Sequence, residues 1–194
     1  MRIPLALRRL WKVCPKQRIR YALDTIQCSR GDDGKATIVV TDGKLLIVAD
    51  LLEGVPPADA RPGFSANVPA SLWRLAFKLT KSDGTGIIIG ETDPCSIGIG
   101  NENIAALPVK NQKKFPDWRN IIAMTKDKPV AETQGEGLLL APSVLATLTE
   151  VLTDIGVSSV RLKVLAGKDS PIAFSAKGGD GFRIFGCVMP LSGD

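Results

Sequence analysis

One local pattern occurs three times in this chain and constrains its fold more than any other feature. Ile3-Pro4-Leu5-Ala6-Leu7-Arg8-Arg9-Leu10-Trp11, Val68-Pro69-Ala70-Ser71-Leu72-Trp73-Arg74-Leu75-Ala76 and Ala141-Pro142-Ser143-Val144-Leu145-Ala146-Thr147-Leu148 each set a short apolar segment before a proline. Proline suits the first turn of a helix, where its missing N–H would have no intrahelical partner. Apolar residues then return at helical spacing: Leu7, Leu10, Trp11 and Cys14; Leu72, Leu75, Ala76 and Leu79; Leu145, Leu148, Val151 and Leu152. The spacing predicts three helices, each with one buried face.

After each helix the pattern becomes that of strands. Tyr21 to Cys28, Lys35 to Val40 and Lys44 to Leu51 follow the first; Gly86 to Gly90, Cys95 to Ile99 and Ile104 to Val109 follow the second; Val160 to Leu165, Pro171 to Ala176 and Phe182 to Met189 follow the third. Tight-turn residues separate them at Gly31-Asp32-Asp33-Gly34, Thr41-Asp42-Gly43, Lys81-Ser82-Asp83-Gly84 and Gly178-Gly179-Asp180-Gly181. Every copy therefore reads βαβββ, and the fold class is α+β, with helices packed on antiparallel sheets. The Pro-rich stretch Gly54 to Gly63 and the polar stretch Met124 to Gly135 read as crossovers. The expected organisation is a complete domain at 1–123, built from units 1–58 and 59–123, a linker at 124–135 and a half-domain at 136–194.

The chain has no histidine. The usual general base, the usual zinc ligand and every Ser/His or Cys/His nucleophile pair are therefore missing. No catalytic or metal constellation can be assembled, so the chain is expected to be neither an enzyme nor a cofactor binder. Cys14, Cys28, Cys95 and Cys187 are widely spaced with no CxxC pair and read as reduced core thiols. With 44% hydrophobic and 23% charged residues, the composition is that of a soluble globular protein. The start carries no uninterrupted signal-peptide core, and no apolar run is long enough to span a bilayer. A net charge of +5 points to an anionic partner.

Three segments carry a family resemblance. Val39-Val40-Thr41-Asp42-Gly43-Lys44-Leu45-Leu46 is similar to a T-D-G-H-R-L strand turn, Phe115-Pro116-Asp117-Trp118-Arg119 to F-P-D-Y-R, and Cys187-Val188-Met189-Pro190-Leu191 to a closing V-M-P strand. In this order, and with βαβββ units across nearly the whole chain, the sequence resembles the β sliding clamp of bacterial DNA polymerase III. The resemblance implies the DNA-clamp fold, with three βαβββ half-units where the family has six: a middle-type domain and the second half of a last-type domain. Lys44-Leu45 stands where the family has His-Arg, and Leu191-Ser192-Gly193-Asp194 replaces an ending that in the family carries Arg-Leu. Both departures bear on partner binding and leave open an alternative reading, a basic DNA-binding protein of clamp fold without a working partner pocket.

In that family a pocket between the middle and last domains accepts a short partner peptide bearing a glutamine and large apolar side chains. Carried over by position, its walls here would be Leu23, Thr41, Gly43, Lys44, Leu46, Pro116, Asn120, Ile121, Val188, Met189, Pro190 and Leu191. The implied partners are DNA polymerase or clamp-loader type proteins, met in the cytoplasm. Clamps also hold duplex DNA through helices that touch phosphates without reading sequence. The matching basic residues are Arg8, Arg9, Lys12, Lys16 and Arg18 on the first helix and Arg74, Lys78 and Lys81 on the second; the third carries Glu150 and Asp154 instead. A homo-oligomer is expected, since four copies of three half-units would supply the twelve of a clamp ring.

Other signals resolve to structure. Gly84-Thr85-Gly86-Ile87-Ile88-Ile89-Gly90 has no dinucleotide-binding spacing and reads as a hairpin. Asp32-Asp33 lacks the further oxygen ligands of a calcium loop. Lys113-Lys114-Phe115-Pro116-Asp117-Trp118 reads as a strand connection with an inward aromatic rather than a base-stacking platform.

Overall fold

The chain is described by a computed structural model that covers residues 1–15, 22–52, 61–80, 86–91, 95–100, 102–107, 114–131, 139–167, 170–178 and 181–190. The first unit comprises β1 (Arg2–Ile3), a 3-10 helix (Leu5–Val13), β2 (Thr25–Arg30), β3 (Ala36–Thr41) and β4 (Leu45–Leu51). The second comprises β5 (Ser65–Pro69), α1 (Ala70–Leu79), β6 (Ile87–Gly90), β7 (Ser96–Ile99) and β8 (Glu102–Ala106). A helix not expected from the sequence, α2 (Trp118–Asp127), precedes the third unit: α3 (Pro142–Asp154), β9 (Arg161–Val164), β10 (Ile172–Lys177) and β11 (Phe182–Val188).

The first strands are exchanged between the first two units. β1 pairs with β6 to give the sheet β1-β6-β7-β8, and β5 pairs with β2 in the sheet β5-β2-β3-β4-β11-β10-β9. The third unit joins the first, β11 running antiparallel to β4 over Leu45 to Leu51. Leu139 to Ala141, which should open the third unit as a strand, form none. Each first strand elsewhere pairs with the sister unit, and the described residues hold no sister for the third. Residues 124–127, expected in a linker, are the last turn of α2, and Val130 bridges to Leu165 beyond it.

Every residue of β3 is buried, and all but Asp50 of β4, although antiparallel strands commonly alternate between core and solvent. The cause is a sheet covered on both faces. Ile38, Val40, Leu45, Ile47 and Ala49 face the 3-10 helix, α1 and α3, whereas Val39, Leu46 and Val48 meet Phe115, Trp118 and Ile122 on and beside α2. The first helix is 3-10 because Leu7, Leu10 and Val13, its buried residues, recur every third position and so share one line at three residues per turn.

The first helix buries Val13 and leaves the predicted Trp11 and Cys14 only partly buried, and the other two helix faces also differ from the predicted stripes. In α1 the buried residues are Trp73, Ala76 and Phe77, while Leu75 and Leu79 are 47% and 54% exposed. Trp73 and Phe77, four residues apart with ring centroids at 5.3 Å, bury far more area than the leucines and turn the helix to suit. In α3, Val144 takes the place expected for Leu145, which is exposed.

The β4–β11 seam depends on a residue without a side chain. A Cβ at Gly186 would meet the Leu46 carbonyl oxygen at 1.9 Å and Phe174 Cζ at 2.8 Å. Gly186→Ala is expected to destabilise the fold by about 3 kcal/mol, the upper end of core overpacking. A urea midpoint shift equivalent to less than about 1 kcal/mol would contradict this close approach.

Candidate functional site

A turn, a helix and a strand end, distant in sequence, are fixed at one end of the large sheet. The first is the β3–β4 turn. Gly43 has φ +92°, a backbone conformation that glycine adopts without steric cost. The Asp42 carboxylate accepts from the amides of Lys44 (2.8 Å) and Leu45 (2.7 Å), and Gly43 N–H donates to Thr41 Oγ1 (3.0 Å). Thr-Asp-Gly thus writes its own side-chain-capped turn.

The second element is α2. Asp117 caps it, its carboxylate accepting from the Asn120 amide and from Asn120 Nδ2. Trp118, Ile122 and Thr125 are buried at helical spacing, and Trp118 Nε1 donates to Gln27 Oε1 at 3.0 Å, which pins the helix across β2. Lys128 Nζ reaches Ser170 Oγ at 3.0 Å and ties the helix end to the third unit. The third element is the end of β11, where Met189 N–H donates to the Lys44 carbonyl at 2.7 Å.

Between them lies a cavity of about 410 Å³, within the range of pockets that hold small ligands. Of the residues predicted for the site, Thr41, Gly43, Lys44, Leu46, Pro116, Ile121 and Met189 line it. Leu23, Asn120, Val188 and Pro190 are not among its lining residues. Val188 is buried in the core on the helix side of the sheet, Leu23 is buried against the turn, Asn120 is engaged with Asp117, and Pro190 is only half-buried at the strand end. Leu191 is outside the described residues. Leu45, Trp118, Met124, Lys128, Pro171 and Cys187 also line the cavity and were not foreseen. Trp118 and Met124 follow from the helical period of 118–127; Pro171 and Cys187 enter only through strand pairing. Burial pushes the Cys187 thiol up to about 11, so it adds no charge at neutral pH. The cavity offers apolar walls and a rim of Lys44 and Lys128.

The predicted basic residues divide. Arg8 and Lys78 are exposed, and the exposed Arg74 guanidinium lies 4.8 Å from the centre of the Trp11 ring. Lys12 pairs with Glu150 and with Asp154 (3.0 Å), and Arg9 reaches Asp154 at 3.7 Å. The Glu150 hydrogen bond, followed by that of Asp154, holds the Lys12 ammonium above its ordinary pKa despite some desolvation. Two of the first helix's cations are therefore partly neutralised by the third helix. Lys16, Arg18 and Lys81 lie outside the described residues. Among the described residues no three His, Cys, Asp or Glu side chains cluster as metal ligands, and no helix is long and apolar enough to cross a membrane.

Paired units with exchanged first strands, whose repeated helices share one face of the sheet, define the DNA-clamp fold. Solved structures it resembles include bacterial DNA polymerase III β sliding clamps. One from Pseudomonas aeruginosa, bound to griselimycin, is 18% identical with a TM-score of 0.62, over 98% of this chain and 64% of that one. A second P. aeruginosa structure is 21% identical with a TM-score of 0.60, over 98% and 66%. The H. pylori β clamp in complex with diflunisal is 14% identical with a TM-score of 0.66, over 96% and 63%. The chain thus spans less than two thirds of the length of these clamps, and at such identities the likeness establishes the fold. No family model matches the chain, and no curated protein sequence does.

Proposed function

We propose that this chain is a non-enzymatic, clamp-like docking protein whose pocket receives a short peptide from a DNA polymerase or clamp-loader type partner in the cytoplasm. One observation carries the proposal. Thr41-Asp42-Gly43, Phe115-Pro116-Asp117-Trp118 and Cys187-Val188-Met189, the three segments similar to clamp motifs, come from separate parts of the sequence and each contribute walls to one apolar cavity. A Leu or Phe buried there gains about 1.5 to 3 kcal/mol, so two anchors plus backbone hydrogen bonds suffice for micromolar affinity. Met124 and Met189 give the walls the adaptability to take several partner sequences. A fluorescent peptide carrying glutamine and two large apolar residues is expected to bind saturably in the micromolar range. Absence of saturation up to about 1 mM would overturn the proposal.

A second activity is favoured by Arg8, Arg74 and Lys78, which leave positive charge exposed on the helix layer. Duplex DNA of any sequence is expected to bind with an affinity that falls steeply between about 50 and 200 mM salt, and Arg8→Glu with Lys78→Glu should flatten that slope. An unchanged slope would remove these helices as the DNA surface. Self-association belongs to the same proposal, because four copies of the three half-units present here would supply the twelve of a clamp ring.

A further inference from the structure

We infer that a basic groove beside the pocket receives an acidic segment of the docked peptide; the inference rests on the docking proposal and deepens it. The groove, about 890 Å³, lies on the same sheet beyond the end of α2. It gathers Lys126 from α2, Arg161 from β9, Lys177 from β10 and Arg183 from β11, and among the described residues one carboxylate, Asp50, lines it with them. Arg183 reaches Asp50 at 3.6 Å; among the described residues the other three cations have no ion-pair partner.

Strand register explains how residues so distant in sequence converge. Arg161 pairs with Ser175 and Ser175 with Phe185; Lys177 pairs with Arg183 and Arg183 with Asp50. Directly paired residues share a face, so these are two adjacent rows on one side of the sheet. Cys187 follows Phe185 on that side by the period of two and already belongs to the apolar pocket. From Arg183 to Met189 the strand covers roughly 20 Å, which an extended peptide of about seven residues spans.

The chemistry selects carboxylates. Two guanidinium forks and two ammonium groups, with the Ser158, Ser159 and Ser175 hydroxyls beside them, suit several separate carboxylates along an extended chain. Base stacking would need an open ring, but Phe185, the one aromatic side chain among the described residues lining the groove, is committed to the cluster beneath α2. A partner peptide with an apolar anchor and acidic residues about seven positions away fits both sites at once.

The test uses the full chain and three labelled peptides: the apolar anchor flanked by four glutamates, the same anchor flanked by four serines, and an acidic decapeptide without anchor. The acidic flank should tighten binding about tenfold at low salt, as expected of a few exposed ion pairs together, and the gain should vanish in Arg161→Glu/Lys177→Glu. Arg2→Glu/Arg61→Glu, the same charge change at exposed positions elsewhere, should keep most of it. Equal affinity of the two flanked peptides, or equal loss in both double variants, overturns the groove while leaving the anchor pocket standing. If neither flanked peptide binds, the docking proposal itself fails. The decapeptide then decides the groove alone: binding abolished only by Arg161→Glu/Lys177→Glu supports it, and any other pattern overturns it. Displacement of the acidic flank by a single-stranded oligonucleotide at lower concentration than by the decapeptide would also overturn it, assigning the groove to nucleic acid.

Discussion

Arg30→Ala is expected to lower the unfolding free energy by about 3 to 5 kcal/mol, the usual cost of stranding one member of a buried ion pair. Arg30, at the end of β2, is only 3% exposed. Its Nε and Nη2 donate to the Glu91 carboxylate at 2.9 to 3.2 Å, and its Nη1 donates to the Gly34 carbonyl at 2.7 Å. The Met1 ammonium reaches the same carboxylate at 2.9 Å. Since β2 lies in the larger sheet and Glu91 follows β6 in the smaller, the pair fastens the two sheets together. Burial on its own would raise the Glu91 pKa, yet the hydrogen bonds from Arg30 and the Met1 ammonium hold it below the ordinary glutamate value. A carboxyl with a depressed folded pKa contributes stability above its unfolded pKa and loses it as pH falls through the folded one. The gap between wild type and Arg30→Ala should therefore be widest near neutrality and narrow below the ordinary carboxylate range. Urea denaturation at several pH values checks both; a neutral-pH loss under about 1 kcal/mol would contradict the fastening role.

Met189→Asp is expected to weaken binding of the apolar-anchor peptide about a hundredfold. Met189 lines the cavity, and replacing it removes apolar contact worth about 1.5 to 3 kcal/mol while setting a carboxylate where the peptide would have to desolvate it. Because the side chain is 39% exposed in the free protein, the aspartate stays hydrated there and the urea midpoint should barely move. Fluorescence anisotropy with the same peptide reads the change. Undiminished affinity would mean that the peptide binds elsewhere.

The elements that repeat locally were legible in the sequence. Gly and Asp fix the reversals, and β-branched runs such as Ile38-Val39-Val40 fix the strands between them. The pocket was legible in part because Thr41-Asp42-Gly43 and Met189 carry distinctive chemistry in short segments. α2 was not, although Trp118, Ile122 and Thr125 recur at helical spacing behind an Asp cap: its buried face is narrow, one of its positions is a threonine, and the similarity to F-P-D-Y-R favoured a strand connection. Nor could local pattern decide which leucines of α1 are buried, because the outcome depends on how Trp73 and Phe77 fit the opposing layer. The joining of the third unit to the first, and with it the basic groove, rests on β4–β11 pairing over more than a hundred residues of sequence, and no periodicity encodes such a pairing.

The most direct test of the docking site uses the chain's three methionines. Met1 is buried in the core, whereas Met124 and Met189 both line the cavity. In a protein labelled with 13C-methyl methionine, titration with the apolar-anchor peptide should shift the Met124 and Met189 methyl signals together, saturating with the anisotropy curve, while the Met1 signal stays in place. A peptide that binds while the Met124 and Met189 signals remain unmoved would contradict docking in this pocket.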